Sequence, residues 1–63
     1  MDKATANKVN EVKDTIARFT QLKEQTKSLI AQQPGLAQLL EDDLKRYESL
    51  LTRCKSYIAA VTN

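Results

Sequence analysis

Cys54 is the most nucleophilic side chain in this sequence of 63 residues. A catalytic cysteine needs a neighbouring base, usually a histidine, to form its thiolate, and the sequence contains no histidine. Because Cys54 is also the single cysteine, neither an internal disulfide nor a zinc site with several Cys or His ligands can form. The residue falls instead in the apolar row of a helical pattern, where a lone thiol acts as a small hydrophobic side chain. We therefore expect no catalytic residue and no enzymatic activity.

The run Glu41-Asp42-Asp43 is the densest cluster of carboxylates and the one that could attract a divalent cation. Three consecutive residues of a helix point in three directions, so their carboxylates do not converge on one ion. The run is better explained as the start of a helix, where negative charge is favourable. The single glycine also excludes a glycine-rich phosphate loop. We expect neither a metal nor a cofactor.

The strongest helix break in the sequence is Gln33-Pro34-Gly35. A residue before proline disfavours the helical conformation, and we expect the glycine to permit the change of direction. The flanking segments are rich in Ala, Leu, Lys, Gln and Glu, which are good helix formers. The sequence predicts one all-α domain over 1–63, with a first helix over about 3–32, a turn at 33–35 and a second helix over about 36–61. A short turn favours an antiparallel two-helix hairpin that resembles a coiled coil.

The first helix carries its apolar residues on one side, with one irregularity in their spacing. Leu22 follows Phe19 after a step of 3 where a regular heptad alternates 3 and 4, which predicts a local break in the heptad. Thr26 then takes the place of an apolar residue, and Lys23 falls inside the apolar arc. The apolar residues are Val9, Val12, Ile16, Phe19, Leu22, Leu29 and Ile30.

The second helix has an uninterrupted apolar seam in steps of 3 and 4, which are the a and d positions of a heptad. A second apolar row lies beside this seam. Leu36, Leu50 and Tyr57 occupy its g positions, and Leu39 lies close to them. One neighbouring helix requires only the a and d positions, so we expect the second row to face a partner. The seam itself consists of Ala37, Leu40, Leu44, Tyr47, Leu51, Cys54, Ile58 and Val61.

A hairpin of this length is marginally stable when it is isolated. A chain of about 60 residues buries only about 60% of the surface that its unfolded form exposes, and this one has no disulfide or metal to compensate. We therefore expect association to complete the fold, either with helices of another protein in a hetero-complex or with further copies in a homo-oligomer. The residues predicted to bind the partner are Leu36, Leu39, Leu50 and Tyr57.

The charges are nearly balanced, with ten basic and eight acidic residues and a net charge of +2. A nucleic-acid-binding domain normally shows a clustered basic excess, and the face of the first helix opposite its apolar residues has none. No apolar run approaches the roughly 18 residues that a membrane span requires. The acidic start of the second helix argues against a helix that lies on a membrane surface. We expect neither nucleic acid nor membrane as a partner, and the lone cysteine is typical of the cytoplasm.

Two long helices joined at Gln33-Pro34-Gly35, with Tyr47-Glu48-Ser49 and Tyr57-Ile58-Ala59-Ala60 in the second, give the chain a recognisable outline. It resembles the small co-chaperones of type III secretion needle subunits. In that family the hairpin pairs with a tetratricopeptide-like co-chaperone, and together they hold the needle subunit soluble in the bacterial cytosol and prevent premature polymerisation. The resemblance implies a cytosolic protein-binding function.

Two other functions fit a hairpin of this length. Plasmid copy-number regulators that bind paired RNA loops are homodimeric four-helix bundles, in which the faces of the first helix grip the RNA. Phe19 would be the aromatic residue for such a role, but it lies on the apolar side of its helix. A coiled-coil subunit of a larger scaffold or tethering complex is the other alternative.

Overall fold

The computed structural model describes residues 1–62 and shows a hairpin of two long helices. Helix α1 spans Lys3–Gln32, 30 residues, and helix α2 spans Ala37–Thr62, 26 residues. A single 3₁₀ turn, Pro34–Leu36, joins them. The described residues contain no strand, and the predicted all-α hairpin is confirmed. Relative to the predicted bounds 36–61, the second helix begins and ends one residue later.

Asp2 caps the amino terminus of α1. Its Oδ1 accepts a hydrogen bond from the backbone N–H of Thr5 at 2.7 Å, and its carbonyl oxygen accepts one from the N–H of Ala6 at 2.9 Å. The first bond satisfies one of the amide groups that every helix leaves unpaired at its start. Because the same bond stabilises the carboxylate, it lowers the pKa of Asp2 below the ordinary value of 3.8.

The chain reverses at Gln33, which leaves the helical conformation with φ −134° and ψ 79°, as expected before a proline. The N–H of Gln33 donates to the carbonyl of Leu29 at 2.8 Å, and the N–H of Leu36 donates to the carbonyl of Gln33 at 2.9 Å. Leu36 therefore closes the turn and does not begin α2. Gly35 has no positive φ, and a Cβ there would meet no atom within 4 Å. Contrary to expectation, the turn makes no use of the conformational freedom of glycine.

An aromatic contact fixes the register of the two helices. The rings of Phe19 in α1 and Tyr47 in α2 have centroids 5.8 Å apart and are tilted by 51°, an arrangement that aromatic pairs favour. Both residues occupy d positions. The next seam positions are Ile16, three residues before Phe19, and Leu51, four residues after Tyr47; both are a positions and lie at nearly the same level.

The heptad of α1 continues without interruption through Lys23 and Thr26, which occupy an a and a d position and are both half-buried. The hydroxyl of Thr26 donates to the carbonyl oxygen of Leu22 at 2.8 Å, so this polar group is satisfied within its own helix. The predicted break between Phe19 and Leu22 does not occur. Leu22 lies at a g position, beside the seam and not in it.

Two side chains form the whole of the buried core in residues 1–62: Val9, at 5% exposure, and Leu51, at 6%. The other apolar residues of the seam are half-buried. The molecule is a rod of 48 × 14 × 14 Å with a radius of gyration of 14.6 Å, against about 10.6 Å for a globular domain of this length. It exposes 4824 Å², about 700 Å² more than the roughly 4,100 Å² of a globular monomer of this mass. Each helix therefore leaves much of the other's apolar surface open.

Candidate protein-binding face

The two sides of the hairpin seam differ in the chemistry of their side chains. In each helix the a and d positions face the other helix, and the e and g positions flank them. Because the helices run in opposite directions, the g positions of both lie on one side of the seam and the e positions of both lie on the other. The residues at these positions decide which side can bind a partner.

The side formed by the e positions is polar, and we call it the charged flank. Its residues are exposed apart from Ala6, which is half-buried. Glu48 on this flank approaches the ammonium group of Lys23 at 4.0 Å, and Glu41 approaches Lys45 at 3.9 Å. Exposed pairs of this kind contribute little to stability because water screens them. The charged flank consists of Ala6, Lys13, Thr20 and Lys27 from α1 and Glu41, Glu48, Lys55 and Thr62 from α2.

The side formed by the g positions is largely apolar, and we call it the apolar flank. Leu29 in α1 is 38% exposed, and Leu39, at a c position of α2 next to the g row, is 74% exposed. These are two of the three large hydrophobic side chains that residues 1–62 expose, the third being Met1. The apolar flank consists of Leu22 and Leu29 from α1, Leu36 from the turn, and Leu39, Leu50 and Tyr57 from α2, while the other two g positions of α1 hold the exposed Lys8 and the half-buried Thr15.

All four residues predicted to bind a partner lie on this apolar flank, but they differ in exposure. Leu39 is open to solvent, whereas Leu36, Leu50 and Tyr57 are half-buried. We expected one helix to cover the a and d rows of α2 and to leave its g row free. Instead the residues of the g row are themselves half-buried, and no row is completely covered, since only Leu51 of α2 is buried. The assignment of these four residues to a partner stays a prediction.

Leu22 and Leu29 join the apolar flank from α1, and sequence reasoning did not place them there. The supposed heptad break assigned both leucines to the seam. Reading Lys23 as an a position and Thr26 as a d position keeps the heptad regular and moves both leucines to g positions. The signal for the regular heptad is therefore a polar residue, Lys23, at an a position.

Charged residues interrupt and border the apolar flank at defined points. Asp43 occupies the remaining g position of α2 and is half-buried, yet it takes part in neither of the ion pairs formed within residues 1–62. Arg46 and Arg53 occupy c positions along the same edge as Leu39 and are exposed. The flank thus offers a partner apolar contacts together with charges of both signs.

Other kinds of site are not found in the part of the chain that the structure describes. Its surface has no pocket, and no three His, Cys, Asp or Glu side chains are grouped so that they could hold a metal ion. Cys54 is a half-buried free thiol in the seam. Neither α1 nor α2 combines the length and the apolar character that a bilayer crossing requires.

Comparison with known proteins yields no family model that matches the sequence, and no curated protein or solved structure with significant similarity to it. The apolar flank is therefore the feature on which a functional proposal rests.

Proposed function

We propose that this hairpin is a non-enzymatic protein-binding module whose apolar flank packs against α-helices of a partner. The observation that supports this most is the asymmetry of the rod, with an apolar flank on one side of the seam and a charged flank on the other. Exposed apolar side chains with polar residues around them are typical of interaction sites. The small buried core, Val9 and Leu51, gives the chain a physical reason to associate.

The geometry of the apolar flank favours a helical partner. Leu36 and Tyr57 are separated by 21 positions, or about 31 Å of helix at 1.5 Å per residue. A straight row of that length matches a helix of about 20 residues whose apolar side chains recur at i, i+3, i+4 and i+7. Such a partner would hide its own apolar surface and that of the hairpin in one step.

The resemblance to needle-subunit co-chaperones supports a narrower form of this proposal. In that form the partners are a secretion needle subunit and a tetratricopeptide-like co-chaperone, and the place of action is the bacterial cytoplasm. The single thiol of Cys54 is in keeping with a reducing compartment. The physical task would be to cover aggregation-prone apolar helices until secretion.

The test of the general proposal uses two substitutions on the apolar flank, each with a matched control next to it. Leu39→Asp and Leu50→Asp place a charge on the flank, and Gln38→Asp and Ser49→Asp add the same charge at exposed neighbouring positions. Partners are captured from the cells that produce the chain, identified by mass spectrometry, and their binding to each purified variant is then measured. An unpaired charge in an apolar contact should weaken binding at least about tenfold, while the controls should bind like the wild type.

Leu39→Asp is the decisive variant, because Leu39 is 74% exposed and its replacement should leave hairpin stability within about 0.5 kcal/mol of the wild type. Protein binding, to itself or to another chain, that is the same for all four variants would refute the proposal. The narrower form predicts that a needle subunit stays soluble on co-expression with the wild-type chain and its co-chaperone, and aggregates with Leu39→Asp. Tight binding to structured RNA that weakens steeply with salt would favour the RNA-binding alternative instead.

A further inference from the structure

We propose that the apolar flank is occupied by a second copy of the chain, in a two-fold symmetric dimer whose α2 helices lie antiparallel. The inference rests on the general form of the proposed function, since it names a second copy, in place of a needle subunit, as the partner of the same flank. A four-helix arrangement results, in which the g and c rows of α2 meet those of the partner subunit. The supporting observations are the exposed area of the hairpin and the order of residues along α2.

The exposed area matches what a dimer would bury. The hairpin exposes 4824 Å², an excess of about 700 Å² over a globular monomer of its mass. A standard stable protein interface buries about 800 Å² from each partner. One interface on the apolar flank would therefore bring the exposure of each chain down to the globular value.

The order of residues along α2 is self-complementary when two copies run antiparallel. With the two-fold axis at the level of position 48, a residue at position n of α2 lies level with position 96 − n of the partner subunit, as simple symmetry requires. Each g residue then meets a c residue. Leu39 lies level with Tyr57 of the partner subunit, and Arg46 can lay its aliphatic stem along Leu50 of the partner subunit.

The charges select this orientation over the parallel one. In the antiparallel dimer Asp43 lies level with Arg53 of the partner subunit, and symmetry forms this pair twice. Asp43 is the half-buried carboxylate that takes part in neither ion pair formed within residues 1–62. In a parallel dimer Asp43 would face its own copy and Arg53 would face its own copy, and such like-charge contacts oppose binding.

The test measures the mass and the dimer dissociation constant of the full chain by sedimentation equilibrium. The wild type should have twice the chain mass of 7.1 kDa. Asp43→Arg and Arg53→Asp should each weaken the dimer at least about tenfold, since each replaces two opposite-charge contacts by like-charge contacts. The double variant Asp43→Arg/Arg53→Asp should return to within about threefold of the wild type. Asp42→Arg and Lys55→Asp make the same charge changes at exposed positions off the flank and should not weaken the dimer.

Three results would overturn the inference. A wild-type chain that is monomeric at about 100 μM while it binds another protein through Leu39 would leave the proposed function standing and remove the dimer. A dimer that neither single reversal weakens, or that the double variant does not restore, would exclude this antiparallel register. If a reversal at Asp43 lowers helicity, Leu39→Asp serves as the second variant, because it should dissociate the dimer without disturbing the hairpin; a dimer that survives it would refute the use of this flank.

Discussion

Leu51→Ala should cost the hairpin much of its stability. Leu51 is 6% exposed and is the one buried residue of α2. Replacing a buried leucine by alanine costs about 2–5 kcal/mol, depending on how far the surroundings collapse into the space. Here Ile16, at the same level, is half-buried and can move inward, so we expect about 2–3 kcal/mol. A domain of this length has a total stability of about 3–9 kcal/mol, and a hairpin with two buried side chains belongs at the lower end.

The assay is urea unfolding followed by circular dichroism at 222 nm, at a single protein concentration because association would shift the midpoint. Leu39→Ala is the matched control, since it makes the same chemical change in the same helix at 74% exposure and should change stability by less than about 0.5 kcal/mol. If Leu51→Ala and Leu39→Ala lower the free energy of unfolding equally, or if Leu51→Ala costs under about 1 kcal/mol, the seam is not where the hairpin derives its stability.

Three further changes test other parts of the structure. Lys23→Leu should raise the free energy of unfolding by about 1 kcal/mol, because it fills an a position with an apolar side chain. The substitution loses only a 4.0 Å ion pair to the half-exposed Glu48. A lower urea midpoint would contradict this placement of Lys23. Gly35→Ala should stabilise by about 0.4–1 kcal/mol, since the Cβ meets no atom within 4 Å and φ is not positive; a lower melting temperature would show that the turn needs glycine. The pKa of Asp2 is lowered in the fold by its bond to the Thr5 amide, so its stabilising effect is fully present above pH 3.8 and is lost as the pH falls through the lower native value. The protection factor of the Thr5 amide, its intrinsic exchange rate divided by the observed rate, should fall there, and a protection factor already as low at pH 6 would rule out the cap.

The fold of α2 and the position of the turn could be predicted from the sequence because each rests on local signals. Steps of 3 and 4 from Ala37 to Val61 place one continuous stripe on a helix, and a proline disfavours the helical conformation at the residue before it. The role of Gly35 could not be inferred in the same way. Glycine permits a left-handed turn without requiring one, and here a 3₁₀ turn through Pro34–Leu36 completes the reversal.

The arrangement of α1 was harder to predict because a polar residue occupies a seam position. An apolar arc that includes Lys23 predicts Leu22 and Leu29 in the seam. In the structure Lys23 is half-buried and its ammonium group lies 4.0 Å from Glu48, as lysines commonly do at the edge of apolar surface. Because α1 packs along its whole length, placing Lys23 in the seam costs less free energy than shifting the apolar face to another side partway along the helix.

The same feature of α1 explains both the small core and the apolar flank. Lys23 and Thr26 occupy seam positions that apolar side chains would otherwise fill, so the seam is weakest in the turn-proximal half of the rod. The leucines of that half, Leu22 and Leu29, consequently lie at g positions, where they extend the apolar row of α2 and add nothing to the buried core. Apolar side chains on the flank stabilise the isolated hairpin less than they would in the seam, but they provide area that a partner can bury. The stability of the hairpin and the binding of a partner therefore both depend on this part of α1. A substitution that strengthens the seam and leaves the flank unchanged, such as Lys23→Leu, should raise stability without altering the surface that binds a partner.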